Sequence, residues 1–99
     1  MHPQNPQPSV ELHNSPDFRD AYANSVQLRV SLWDFYLLFG NIQHDSRPGH
    51  VSIRNFQGIY LSPQQAKALL NVLQQNVQQY ETAFGEIRLE PKGDTNIVQ

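Results

Sequence analysis

LSPQQAKALLNVLQQNVQQYETAFG, running from Leu61 to Gly85, predicts one amphipathic helix whose two ends are specified locally. Ser62 is placed to cap the start: its hydroxyl can accept from the amide of Gln65, and the Gln65 side chain can answer as the second half of a capping box. Pro63 takes the first helical position, where its fixed φ fits and its missing N–H has no helical partner to lose. Leu61 and Ala66 are spaced as a hydrophobic staple. Gly85 follows Phe84 as a stop, because a helix closes readily on a positive-φ residue and glycine adopts one without a Cβ penalty.

Within those ends, Ala66, Leu69, Leu70, Leu73, Val77, Tyr80 and Phe84 fall inside an arc of about 100°, with Lys67, Asn71, Gln74, Gln78 and Glu81 opposite. Burying the large members of that stripe is worth on the order of 10 kcal/mol, more than helix propensity supplies. The helix therefore needs an apolar surface to lie on, and the upstream chain is expected to provide it. Val26, Leu28, Val30 and Leu32 alternate with Ser25, Gln27, Arg29 and Ser31, the period of a half-buried strand. A turn near Trp33 and Asp34 leads to a second strand, Phe35 to Gly40, that is apolar on both faces. Gln43 to His50 reads as a loop, and a third strand opens at Val51 and Ile53 and runs to Leu61. Asn55 and Gln57 fall in phase with the apolar residues of that strand, so a bulge near Gly58 is expected to reset the register. Ile87 and Leu89 alternate with Glu86, Arg88 and Glu90 as a short fourth strand. The expected fold is α+β, an antiparallel β-meander of three strands, with that short fourth, packed on one long C-terminal helix.

A chain of 99 residues sets one domain as the default. Residues 21–90 are expected to hold it, after a Pro/Gln/Asn-rich lead-in over 1–20 that reads as disordered and before a flexible tail over 91–99. No signal peptide, lipidation motif, internal repeat or apolar run long enough to span a membrane is visible, so a cytoplasmic location away from the membrane is expected. The chain has no cysteine, which excludes disulfides and thiolate-held metals. A net charge of −2 with seven scattered Lys and Arg gives no basic stripe, and nucleic acid is not an expected partner.

A core this small favours self-association. One helix covers one face of the sheet, leaving Tyr36 and Leu38 on the other. A shoulder of Ala68, Val72, Gln75 and Gln79 recurs at four-three-four spacing beside the main stripe, suited to packing a second helix. A homo-oligomer is the expected partner state, with another protein as a further partner.

Tyr22-Ala23-Asn24, Ser31, Asp34-Phe35, Phe39-Gly40, Leu61-Ser62-Pro63, Ala66-Lys67, Leu70, Leu73, Asn76, Tyr80-Glu81 and Phe84-Gly85 together resemble a family of small prokaryotic proteins catalogued as domain of unknown function three-four-six-seven. The resemblance runs from Tyr22 to Ile87, is most specific in the helix, and implies a compact single domain with no established activity. The Pro/Gln-rich lead-in and the His-containing loop read as peculiar to this chain. In layout, a meander followed by a long helix is also similar to the export chaperone SecB, an analogy of architecture rather than of motif.

No paired carboxylates, serine elbow or glycine-rich phosphate loop is present, so neither an enzyme nor a cofactor is expected. His44, Asp45 and His50 share one loop and offer imidazole and carboxylate donors for zinc or nickel, but they lack the rigid set of three or four ligands such sites use. Asp34 can pair with Arg29 or Arg54, or bond its own turn. Trp33, Tyr36 and Tyr60 are candidate exposed aromatics for partner recognition. Asn76, at the stripe margin, can reach strand-end backbone near Asn24. The expected function is a non-enzymatic interaction or assembly module, with a SecB-like holdase and a small metal-binding protein as alternatives. Its expected interface residues are Trp33, Tyr36, Leu38, Tyr60, Ala68, Val72, Gln75 and Gln79.

Overall fold

The computed structural model describes residues 7–44 and 46–89, and it bears out the expected order of three strands and a helix. β1 (Ser25–Val30), β2 (Phe35–His44) and β3 (Val51–Leu61) precede α1 (Pro63–Phe84). The strands form one antiparallel sheet in the order β1-β2-β3.

β1 ends two residues sooner than the alternation suggests. Ser31 closes the turn, with its amide donating to the Asp34 carbonyl (2.9 Å) and its hydroxyl accepting from the amides of Trp33 and Asp34 (3.1 Å each). Leu32 is therefore carried into the turn and exposed. The same hydroxyl lies 3.1 Å from the Asp34 carboxylate, so Asp34 is bonded within its own turn, as its position suggests. β2 runs four residues past Gly40, because Asn41 to His44 pair with Arg54 to Val51. The expected loop is shorter by Gln43 and His44. Backbone pairing continues there without apolar side chains, and alternation could not reveal it.

The register resets where Phe39 pairs with Gln57 and Gly40 with Asn55, leaving Phe56 as the extra residue, two positions before Gly58. Directly paired residues point to the same face. One face thus carries Val26, Leu28, Val30, Phe35, Leu37, Phe39, Ile59 and Leu61. The bulge turns Val51 and Ile53 to the opposite face, alongside Tyr36, Leu38, Ile42 and Tyr60.

The helix starts at the expected cap and proline. Ser62 (φ −62°, ψ 155°) accepts from the Gln65 amide at 3.1 Å, and Pro63 opens the first turn. It ends at Gly85, whose φ of 110° and ψ of 170° lie in a region open essentially to glycine, and whose amide donates to the Glu81 carbonyl at 2.9 Å. No fourth strand forms among the described residues after the helix. The Ile87 amide is taken instead by the Glu81 carboxylate at 3.0 Å, leaving Ile87 and Leu89 exposed. Residues 90–99, including Glu90 of that expected strand and the expected tail, lie outside the described residues, as do 1–6. From Gln7 to Asp20 the lead-in is exposed, with neither strand nor helix.

The apolar stripe faces its own sheet only over its first turns, where burial along its whole length was expected. Pro63, Ala66 and Leu69 are half-buried, but Leu70, Leu73, Val77, Tyr80 and Phe84 are 42–77% exposed, and no apolar side chain among the described residues is fully buried. The geometry of the junction gives the reason. Only Ser62 separates β3 from α1, too short a connection to fold a helix of about 33 Å back across three strands. The second half of the helix is left uncovered, with Val77, Tyr80 and Phe84 exposed.

Candidate functional site

The expected interface residues fall on separate surfaces. Trp33 projects from the β1–β2 turn and is exposed. Tyr36 and Tyr60 pair across β2 and β3 and stack with ring centroids 4.3 Å apart, next to Leu38 on the sheet face away from the helix. Tyr36 is half-buried and Tyr60 exposed. A Cβ on Gly58 would come within 2.7 Å of the Tyr36 ring, so that glycine is the slot into which the ring leans. Ala68, Val72, Gln75 and Gln79 are exposed on the helix flank. The aromatic cluster and the helix shoulder are not brought together.

What the structure does assemble is a groove the sequence reading assigned to a closed core. Leu28, Phe35, Leu37 and Leu61 of the apolar face form one wall, and Pro63, Ala66, Lys67, Leu69, Leu70 and Leu73 form the other, enclosing about 620 Å³. Lys67 is its sole charged lining residue. A shallower channel lined by Leu70, Leu73, Gln74, Val77, Gln78 and Glu81 shares Leu70 and Leu73 with the groove. The two make one apolar track from the sheet to the far half of the helix. The signal for this surface was already present in the stripe and the alternation. The single-residue junction that keeps the two walls apart was also legible, in Leu61-Ser62-Pro63.

The remaining polar candidates are accounted for locally. Asn76 donates to the Val72 carbonyl within its own helix (2.8 Å), while Asn24 accepts from the Ile42 amide across the sheet (2.8 Å), so the expected Asn76 link to the strand end does not form. Asn24 also donates through its amide to the Gly40 carbonyl at 3.1 Å, extending the β1–β2 ladder by one residue. Ser25, opposite Gly40, is 1% exposed with its hydroxyl unpartnered. His44 ends β2, and the His50 amide donates to the Arg47 carbonyl at 3.2 Å. Asp45 lies outside the described residues. Among the described residues no group of three His, Cys, Asp or Glu side chains is placed to hold a metal, and no helix is long and apolar enough to cross a membrane. In the lead-in, the Ser15 hydroxyl donates to the Asp17 carboxylate at 2.7 Å and holds its pKa below the ordinary 3.8.

The family model described as protein of unknown function (DUF3467) matches residues 1–89. The chain belongs to the DUF3467 family. The match spans the lead-in and the His-containing loop as well as the stretch from Tyr22 to Ile87, so the DUF3467 match is wider than the resemblance carried by individual residues. No curated protein and no solved structure matches this DUF3467 chain.

Proposed function

We propose that this chain is a non-enzymatic assembly module that works as a homo-oligomer, its apolar track covered by copies of itself. The observation that carries this reading is the exposure of the whole outer helix stripe beside an apolar sheet face, with no fully buried apolar side chain among the described residues. The chain presents 9683 Å² of accessible surface, about 3,900 Å² more than a compact monomer of its mass. Part of that excess is the exposed lead-in. A standard interface takes roughly 800 Å² from each partner. A contiguous exposed apolar track of this kind marks a site of association.

Sedimentation of the purified chain over a hundredfold dilution tests the reading. The expected result is a mass of two or more chains that falls towards one on dilution with loss of helix signal. A folded monomer at all concentrations overturns it. A second reading draws on the apolar lining of the groove, which suits extended apolar segments of unfolded chains as a holdase would bind them. Suppression of aggregation of an unrelated unfolded protein at stoichiometric ratio supports it, and no suppression removes it.

A further inference from the structure

The assembly reading leaves the surface and the symmetry open, and the inference that follows rests on that reading. The groove lies against the first half of α1 and the uncovered stripe occupies its second half. In a twofold pair of antiparallel helices, each second half lies beside the partner's first half. One operation then fills both grooves and covers both stripes, because the two surfaces already share Leu70 and Leu73.

The residues fit a centre between Leu73 and Gln74. About that point Leu70 falls opposite the partner's Val77. Within one position, small Ala66 meets the partner's bulky Tyr80, and Leu69 meets the partner's Val77. Lys67 comes within one position of the partner's Glu81. Both charges belong to the polar side of the helix and border the stripe on the same flank, about 120° and 80° round from Leu73, and a twofold axis perpendicular to two antiparallel helices keeps matching flanks together. Within one chain the pair is about 21 Å apart along the helix, so this complementarity is available only between copies. Antiparallel helix dipoles also oppose each other favourably.

The geometry points to a homodimer in which two copies of α1 pack antiparallel about Leu73, the Val77–Phe84 half of each entering the groove between sheet and helix of the other, with Lys67 facing the partner's Glu81 at both ends. The occupant of the groove is a second copy of this chain.

Charge reversal tests the pairing. K67E and E81K each set two like charges face to face, whereas an equimolar mixture of the two variants restores two opposite pairs in the heterodimer. Each variant alone is expected to dissociate at about tenfold higher concentration than the parent. The mixture is expected to recover the parent's strength, with heterodimer above the statistical half. A second arm uses the absence of cysteine: Leu73→Cys is expected to form an intermolecular disulfide on mild oxidation, and Val72→Cys, on the shoulder, is not. A mixture no tighter than its components, or cross-linking through position 72 and not 73, places assembly elsewhere and overturns this inference while leaving the assembly reading intact. A parent chain that is monomeric overturns both. The Leu73→Cys arm decides the matter if either charge variant fails to fold by circular dichroism.

Discussion

The Tyr36 ring occupies the space that a side chain at position 58 would need, and the stacked Tyr60 leaves it little room to swing away. Gly58→Ala is therefore expected to destabilise the sheet by about 1–3 kcal/mol. Tyr36→Leu is expected to recover part of that loss in the double variant, a non-additivity measurable by denaturant unfolding. A second residue-scale prediction concerns Asp17. The Ser15 hydroxyl stabilises the ionised carboxylate, so the folded pKa is depressed. The turn at Ser15 to Phe18 is favoured above the ordinary aspartate pKa and loosens as pH falls through the depressed value. Titration of Asp17 by NMR is expected to show a midpoint below 3.8, returning towards it in Ser15→Ala.

Among elements, the two faces of the sheet make different predictions. Leu37 lines the groove and Leu38 does not. Leu37→Glu is expected to leave a chain of monomer mass at concentrations where Leu38→Glu still assembles, with sedimentation giving the mass and circular dichroism the folded state. The ends of α1 and the order of strands were legible because caps, proline and glycine act through the backbone within a few residues. Ser62, Pro63 and Gly85 needed no tertiary context. The length of β2 was not legible, since Asn41 to His44 pair through backbone with no alternation to mark them. The bulge was foreseeable from the phase conflict at Asn55 and Gln57, but its position at Phe56 depends on which cross-strand pair gives way.

For the whole molecule, the stripe from Ala66 to Phe84 announced that a surface must cover it, yet periodicity is the same whether that surface belongs to the same chain or another. The candidate groove was therefore legible as residues and illegible as a site. If assembly completes the fold, melting becomes bimolecular. The midpoint is expected to rise by about 3–5 °C for each tenfold increase in chain concentration, measured by calorimetry from micromolar to millimolar. A midpoint independent of concentration would mean that each chain closes its own core.

Ser62 is the only residue between the last strand and the helix, which makes this joint a hinge with no slack. Inserting a short Gly-Ser tether after Leu61 supplies the missing reach. The helix can then swing back over its parent sheet, as in hinge-loop conversions between exchanged and self-contained forms. The lengthened chain is expected to elute as a compact single copy whose unfolding no longer responds to dilution, so that one peptide joint sets the boundary between a solitary protein and a social one.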